Sequence, residues 1–366
     1  MKIIQVQTQA EAAGAQRVSD MVGEGLRQRG HQVRTVFMYR KTDVYDMDPH
    51  ADFILKGKPK GLLGQLQAAL GLVVYLRRER PDAVLSYQHY GNLFGTIGGR
   101  LAGAKHLVAN QSGAPHWGGL RGIATRLDRL LGSWGFYDHN VVNSAWTTEQ
   151  FANFPARYRA RLRRIDHGVP RPDRPYDRTR ERAAFGLPLE ARLVISTGRL
   201  NRLKNHVLLV RALARLPADV HLALAGAGPE EPAIRGLAST LGVADRLHLV
   251  GEVPPERIFA FLATGDVFAF ASLTETFGLS VAEAAIAGVP VVASDLPVLH
   301  EVLAEPGGAA AALFAPSDDA AALAVAIERV LEDPALADQL RAAGRSLADK
   351  YDPARMCGAY EDLLGG

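Results

Sequence analysis

Cysteine and long apolar runs are scarce in this chain. Among its 366 residues the only cysteine is Cys357, so no internal disulfide can form, which favours a reducing compartment. No apolar run approaches the roughly 20 residues that a membrane-spanning helix needs. Residues 1–7 alternate apolar and polar side chains, which is typical of a first strand and not of a signal peptide. We expect a soluble or peripheral protein of the cytoplasm, lying at the inner face of the membrane if it is peripheral.

Aromatic residues are also few, at 7% of the chain, and the basic residues are not interleaved with them. Single-stranded nucleic acid is bound where bases stack on aromatic side chains beside cations, so we expect no nucleic acid partner. Residues 1–168 carry 23 Lys and Arg against 13 Asp and Glu, whereas the remainder carries 19 basic and 26 acidic residues. The basic first half predicts an anionic partner, such as a lipid-linked acceptor at a membrane surface.

One segment of the basic half, residues 56–80, combines cations with leucines. Three lysines come first, then a leucine-rich helical pattern, then three arginines: Lys56, Lys58, Lys60, Leu62, Leu63, Leu66, Leu70, Val73, Arg77, Arg78 and Arg80. The pattern is typical of an amphipathic helix that lies in a membrane interface. A helix packed on a sheet with charged ends would give the same pattern, and both interpretations stay open.

Apolar segments of strand length alternate with helical patterns in both halves of the chain. The predicted strands are residues 2–7, 33–38, 83–87, 106–110 and 139–143, then 192–197, 220–225, 247–250, 267–271 and 289–293. Two successive series of this kind predict an α/β protein with two doubly wound parallel sheets, which hold ligands at the carboxyl ends of their strands. Prolines at 170, 172 and 175 predict the junction within residues 167–176.

The most informative segment is residues 275–283, which read ETFGLSVAE. It lies between a predicted strand and a helical pattern, where free backbone N–H groups and the positive end of a helix dipole attract anions. Glu275 and Glu283 flank this site. In a continuous helix they would be about 12 Å apart along the axis, whereas a hydrolytic acid/base pair has its carboxyl groups roughly 5 to 9.5 Å apart. Such carboxylates suit opposite ends of an elongated ligand with a negative centre, as in a nucleotide-diphosphate sugar.

This segment resembles the E-x-F-G-x-x-x-x-E signature of the retaining glycosyltransferases of family four, which adopt the two-domain GT-B fold. Residues 198–204 (GRLNRLK) are similar to the family's G-R-(x)4-K segment, and residues 225–229 (AGAGP) to its glycine-rich turn. Residues 167–169 (HGV) are similar to the N-G-V at the family's domain junction, with histidine in place of asparagine. The matches follow the family's order over most of residues 165–325.

The resemblance implies two Rossmann-like, doubly wound parallel-sheet domains facing a cleft. Residues 1–168 would form the acceptor-side domain and residues 169–350 the domain that binds the nucleotide sugar. Residues 351–366 would form a helix that returns to the first domain.

The resemblance also implies roles for single residues. Arg199 and Lys204 would contact the pyrophosphate and, with Glu275, carry the catalysis. Glu275 would bind hydroxyls of the transferred sugar, and Glu283 those of the ribose. Further donor-binding residues are expected at Gly14, Gly198, Gly226, Phe277, Gly278 and Leu279. Val250 is expected beside the base from its position in the chain alone.

The residues alone leave other interpretations of these positions open. Arg199 and Lys204 could form a solvated basic turn, and Glu283 could face solvent. Glu275 could merely complement the helix dipole. Gly226 either shapes a turn or touches the ligand.

The first domain departs from the family pattern. Its first loop keeps one glycine, Gly14, where many relatives carry a pair. Gln111 takes the position where many relatives carry a histidine beside the reacting sugar, and glutamine cannot titrate, so it cannot act as a general base. His89 and His116 are the other acceptor-side candidates, although a lone histidine is often structural.

Asp46 and Asp48 form a D-x-D pair, the metal-binding motif of the other large glycosyltransferase fold. They lie in a polar segment with Asp43 and Pro49, so we interpret them as a solvated loop. Two cations, Arg199 and Lys204, would supply the charge neutralisation that a metal provides. We expect no metal and no cofactor beyond the sugar nucleotide, which is a co-substrate.

The sequence thus predicts a retaining, metal-independent glycosyltransferase. It would move a sugar from a UDP- or GDP-sugar to a hydroxyl of a glycan or lipid-linked acceptor, in glycan, glycolipid or cell-envelope polysaccharide synthesis. Two alternatives stay open: a nucleotide-sugar epimerase of related fold, and a non-catalytic subunit that binds nucleotide sugars.

Overall fold

The computed structural model describes residues 1–11, 13–111, 113–115, 119–305 and 308–365, without the side chains of residues 119–121. The chain forms two compact units. The first unit contains Met1–Gly168 together with the C-terminal segment Tyr351–Gly366, and the second contains Val169–Lys350.

The first unit is a parallel sheet with helices packed on it. Its strands are β1 (Lys2–Ala10), β2 (Gln32–Arg40), β3 (Ala51–Leu55), β4 (Ala83–Tyr87), β5 (His106–Asn110), β6 (His139–Val142) and β7 (Leu162–Arg164). Its helices before the junction are α1 (Gly14–Gln28), α2 (Gly61–Glu79), α3 (His89–Ala102), α4 (Gly119–Trp134), α5 (Ala145–Glu149) and α6 (Ala156–Arg159). The strand order is β3-β2-β1-β4-β5-β6-β7.

The second unit repeats this architecture. Its strands are β8 (Arg192–Thr197), β9 (Val220–Ala225), β10 (Leu247–Gly251), β11 (Val267–Phe270), β12 (Val291–Ser294) and β13 (Ala312–Ala315). Its α-helices are α7 (Arg178–Ala184), α8 (His206–Leu213), α9 (Glu231–Thr240), α10 (Ile258–Leu262), α11 (Leu279–Ile286), α12 (Pro297–Val302), α13 (Ala320–Glu332) and α14 (Pro334–Lys350). The parallel strands lie in the order β10-β9-β8-β11-β12-β13.

The sequence favours these elements for local reasons. The central strands are continuous apolar runs because helices cover both faces of the sheet, and Val194, Ile195 and Phe268 are buried. Several helices begin at an aspartate whose side chain accepts a backbone N–H, as Asp319 does from Ala322 at the start of α13. No helix among the described residues is both long and apolar enough to cross a membrane.

The C-terminal segment completes the first unit with helix α15 (Pro353–Leu363), which packs against α1. Its residues Cys357 and Tyr360 are buried, and the Tyr360 hydroxyl donates a hydrogen bond of 2.6 Å to Oδ1 of Asn110. A Cβ at Gly25 of α1 would lie 2.2 Å from Sγ of Cys357, so the contact requires a glycine there.

The predicted α/β class with two doubly wound parallel sheets is confirmed. Residues 43–49 form a loop, as expected, but no strand was predicted after them, whereas β3 begins at Ala51 and pairs with β2. The short edge strand β7 was missed as well, and β12 begins at Val291, two residues later than expected.

Candidate active site

In the second sheet the strand order reverses between β8 and β11. These neighbours are followed by β9 and β10 on one side and by β12 and β13 on the other. Ligands of such sheets bind where the loops leaving the two central strands separate. Residues 198–205 leave β8 and residues 271–278 leave β11, so the two predicted motifs lie together at the switch point of this sheet.

Lys204 and Glu275 meet between these two loops. The Lys204 ammonium donates a hydrogen bond of 2.5 Å to Oε1 of Glu275, and the Ser272 hydroxyl lies 2.9 Å from the same oxygen. Nζ of Lys204 also lies 4.9 Å from the ring centroid of Phe270. The Lys204 side chain is 26% exposed and that of Glu275 is 13% exposed. The two groups form a charge-assisted pair that a ligand can still reach.

Backbone contacts hold the two loops in place. The N–H of Leu273 donates to the carbonyl of Leu203 over 2.8 Å, and the N–H of Lys204 donates to Oδ1 of Asn201 over 3.1 Å. Asn205 adopts a left-handed conformation (φ 53°), and its side-chain amide donates to the Ser317 carbonyl over 2.9 Å. The backbone on both sides of Lys204 is therefore held in place.

His206, the first residue of α8, follows the loop that carries Lys204 and was not predicted. Its side chain is buried, and burial, with a smaller contribution from the Lys204 charge, lowers the pKa of His206 to about 4. The imidazole is therefore neutral at pH 7. A histidine two residues beyond the basic motif carried no sequence signal, because its burial depends on tertiary packing.

Gly278 marks the turn into α11. It has a φ of 87°, and no side chain caps the helix that begins at Leu279. A left-handed residue at this point favours glycine, which has no Cβ to clash. The first turn of α11 thus presents backbone N–H groups at the end of the helix where anions bind.

The segment between the two glutamates is not a continuous helix, so the expected axial separation of about 12 Å does not apply. Residues 275–278 are irregular, and only residues from Leu279 onward are helical. Glu283 lies within α11 with an exposure of 2%, so the interpretation that it faces solvent is wrong. The ring of Phe277 is also buried, which leaves its backbone as the part that a ligand could contact. Glu275 bonds to Lys204 and does more than complement a helix dipole.

The glycine-rich turn after β9 packs on the loop that carries Arg199. The Gly198 N–H donates to the Ala225 carbonyl over 2.9 Å, and the Gly226 N–H donates to the Gly251 carbonyl over 2.7 Å. A Cβ at Gly226 would lie 2.1 Å from the Gly198 carbonyl oxygen, so Gly226 shapes this turn. Arg199 is exposed on the supported loop, and half-buried Val250 lies in the adjacent strand β10.

Gln111 of the first unit follows β5 and is buried. Its side-chain amide donates to Oδ2 of Asp128 over 3.2 Å, and the Tyr158 hydroxyl donates to the same carboxylate over 2.6 Å. Burial raises the pKa of Asp128 to about 6. Gln111 also lines a cavity of about 20 Å³, large enough for one water molecule, beside His167. No sequence pattern indicated Asp128, which lies in the middle of α4.

Two other candidates of the first unit follow β1 and β4, which lie in the order β1-β4-β5 in the sheet. Gly14 is the first residue of α1. His89 is the first residue of α3, with Nε2 3.5 Å from Oγ1 of Thr125. His116 lies outside the described residues.

The D-x-D pair makes local contacts. Asp46 forms an ion pair with Arg40, and Oδ1 of Asp48 accepts the N–H of His50 over 2.8 Å. Across the described part of the chain, no group of three or more His, Cys, Asp or Glu side chains is arranged to hold a metal ion.

Known glycosyl transferase families match most of the chain. The family model of glycosyl transferases group 1 matches residues 177–347, and that of a glycosyl transferase 4-like domain matches residues 13–168. A 2-deoxystreptamine glucosyltransferase of Streptomyces kanamyceticus is 28% identical over 85% of this chain and 86% of its own length. A GDP-mannose-dependent alpha-(1-6)-phosphatidylinositol monomannoside mannosyltransferase of Mycolicibacterium smegmatis is 31% identical over 73% of this chain and 72% of its own. A D-inositol 3-phosphate glycosyltransferase of Mycobacteroides abscessus is 34% identical, but the match spans only 46% of this chain and 39% of that protein.

Two solved structures share the whole fold. Anabaena HepE in complex with UDP and glucose aligns with a TM-score of 0.82 at 20% identity, over 100% of this chain and 99% of that one. Sucrose-phosphate synthase from Thermosynechococcus elongatus aligns with a TM-score of 0.83 at 22% identity, over 100% of this chain and 98% of that one.

Proposed function

The chain belongs to the group 1 family of glycosyl transferases and has the GT-B fold, and we propose that it is a retaining, metal-independent enzyme that uses a nucleotide-diphosphate sugar. The sugar would pass to a hydroxyl of a glycan or lipid-linked acceptor. The family and the fold are those predicted from the sequence.

The observation that carries this proposal is the Lys204–Glu275 pair at the switch point of the second sheet. A nucleotide-diphosphate sugar has its hydroxyl-rich sugar directly beside its charged pyrophosphate. A carboxylate that accepts hydroxyl hydrogen bonds, next to an ammonium that attracts phosphate oxygens, matches that order of groups. Glu275 would bind the sugar, and Lys204 would turn from Glu275 to the phosphates.

The surrounding groups support the same assignment. Arg199 would add a second cation to the pyrophosphate, and the first turn of α11 at Gly278 and Leu279 would add N–H donors. Glu283 would bind the ribose. Two cations and a helix end supply the positive charge that stabilises the departing diphosphate, so a metal is not required for this role.

The names of the relatives point to UDP- and GDP-sugars as candidate donors. The Anabaena protein was crystallised with UDP and glucose, and the name of the mycobacterial relative specifies GDP-mannose. A panel of UDP-, GDP- and ADP-sugars in a thermal-shift assay separates these options. A donor present at 100 times its dissociation constant stabilises the protein by about 2.7 kcal/mol.

Transfer itself is tested with matched variants of the same loop. Lys204→Ala should abolish transfer, whereas Arg202→Ala removes an exposed cation from that loop and should leave transfer near the wild-type rate. Equal activity of the two variants would contradict the assignment of Lys204. The anomeric configuration of the product, measured by NMR, decides between retention and inversion. Incubating the donor without acceptor and finding an epimer would instead identify the epimerase alternative.

A further inference from the structure

Helix α2 leaves an apolar stripe open to solvent. Leu62, Leu66, Leu70 and Val74 recur every fourth residue and are 89%, 55%, 57% and 66% exposed, and Leu63 lies beside them. The opposite side of the helix packs on its own unit through Ala68, Leu72 and Leu76, all of them buried. Residues spaced by four lie on one side of a helix, so the exposed side chains form one continuous stripe.

Helix α4 carries a second stripe of the same kind. Ile123, Leu127, Leu130 and Trp134 follow helical spacing and are 53%, 42%, 41% and 68% exposed. Single exposed apolar residues are ordinary in soluble proteins, whereas contiguous exposed apolar stripes mark surfaces that bind a partner or a membrane.

The two stripes lie on one side of the sheet. Helices α2, α3 and α4 connect β3 to β4, β4 to β5 and β5 to β6, and all three connections run in the same direction across the sheet. Right-handed crossovers therefore place the three helices on the same face, and α3 packs beside both α2 and α4. Between the stripes, α3 adds Leu101, which is 52% exposed. We call this surface the leucine face.

Cations border the leucine face. Lys56, Lys58 and Lys60 line an open groove of about 420 Å³ at the start of α2, and none of them forms an ion pair with any described residue. The exposed Arg77 and Arg78 lie at the other end of the helix. The acidic residue of α2 is Glu79 at its last position, which pairs with Lys2, and Asp128 of α4 is bonded to Tyr158.

We propose that the leucine face docks this unit on an anionic membrane surface, with α2 lying in the plane of the interface. Leucines at the acyl boundary and lysines at the level of the lipid phosphates are the two contributions that bind an amphipathic helix to such a surface. The groove of three lysines suits lipid phosphate oxygens. A second copy of the chain is a poor occupant, because it would bring two positive surfaces together. The proposal does not depend on the proposed function.

Vesicle flotation tests the proposal without a substrate. The wild-type chain should float with vesicles of phosphatidylcholine mixed with phosphatidylglycerol, and much less with phosphatidylcholine alone. Leu66→Ser and Leu70→Ser should each weaken binding about tenfold. Lys56→Gln, Lys58→Gln and Lys60→Gln should each weaken it about fivefold, on anionic vesicles only.

Matched controls lie in the second unit. Val325→Ser removes a side chain of α13 that is 63% exposed, and Arg211→Gln removes an exposed cation of α8, so neither should change flotation. Circular dichroism should show that every variant is folded, since the replaced side chains lie on the surface.

Three results would overturn the proposal. One is a wild-type chain that does not float with anionic vesicles. Another is flotation that is unchanged in Leu66→Ser and Leu70→Ser. The third is self-association in light scattering, lost in the leucine variants, without vesicle binding, because a second copy would then occupy the face.

Discussion

Replacing Gly226 by alanine tests whether the glycine-rich turn is a steric requirement of the active-site loops. The added Cβ would lie 2.1 Å from the carbonyl oxygen of Gly198, whereas ordinary contacts of a Cβ begin at 3.4 Å. One of the two backbone segments must therefore move by about 1.3 Å. The φ of Gly226 is 142°, a conformation that side chains disfavour, which adds strain.

The expected cost follows from these two effects. Overpacking against a backbone atom costs about 1 to 3 kcal/mol, and a disfavoured backbone conformation adds about 1 to 2 kcal/mol. We expect Gly226→Ala to lower the free energy of unfolding by about 2 to 5 kcal/mol. Because Gly198 begins the loop that carries Arg199 and Lys204, donor affinity should fall as well.

Gly236 provides the matched control. It lies inside helix α9, and a Cβ added there meets no atom within 4 Å. Alanine is favoured over glycine in a helix interior, so Gly236→Ala should raise the free energy of unfolding by about 0.5 to 1 kcal/mol. The same chemical change is thus expected to act with opposite sign at the two positions.

Urea titration followed by circular dichroism measures both variants. The three tryptophans all lie within residues 1–168, at 117, 134 and 146, so their fluorescence follows the first unit and serves as an internal reference. A Gly226→Ala chain within about 0.5 kcal/mol of wild type, binding its donor normally, would refute the steric account of this turn.

Three further predictions concern the same site. Glu275→Ala should abolish transfer while circular dichroism shows an intact fold; near-normal turnover would remove Glu275 from the mechanism. Activity should survive EDTA in full, and a loss that Mg²⁺ restores would contradict metal independence. His206 should make the second unit less stable as the pH falls, because its folded pKa of about 4 lies below the ordinary value of 6.5 and the unfolded chain takes up the proton first. Between these two values the loss approaches about 1.4 kcal/mol per pH unit, and urea midpoints of His206→Leu should lack this component.

The sequence predicted the second unit well because its signals are local. Strands such as Val267–Phe270 are continuous apolar runs, and Gly278 and Asn205 lie where the backbone needs a left-handed residue. The loops of both motifs follow directly from these strands. Spacing could not reveal that Lys204 pairs with Glu275, because that contact depends on β8 and β11 being neighbours in the sheet.

The first unit was harder to predict because its active-site candidates depend on long-range packing. Gln111 is positioned by Asp128 and Tyr158, which are 17 and 47 residues away in sequence. Strand β3 has only partly buried residues and lies at the edge of the sheet, so it lacks the apolar signal of a central strand. The sequence predicts the helix within residues 56–80. Its apolar residues lie on more than one side of that helix, so their spacing does not distinguish those that face the sheet from those that face solvent.

The position of α15 has a consequence for how the protein is made. During synthesis the ribosome completes residues 1–168 long before residues 353–363, and at about 5 to 20 residues per second the interval lasts roughly 10 to 40 seconds. Throughout that time the side of α1 that later receives Cys357 stays uncovered. Helix α1 is therefore made before the helix that covers it, and a product truncated after Lys350 would keep an uncovered apolar surface that chaperones and proteases recognise.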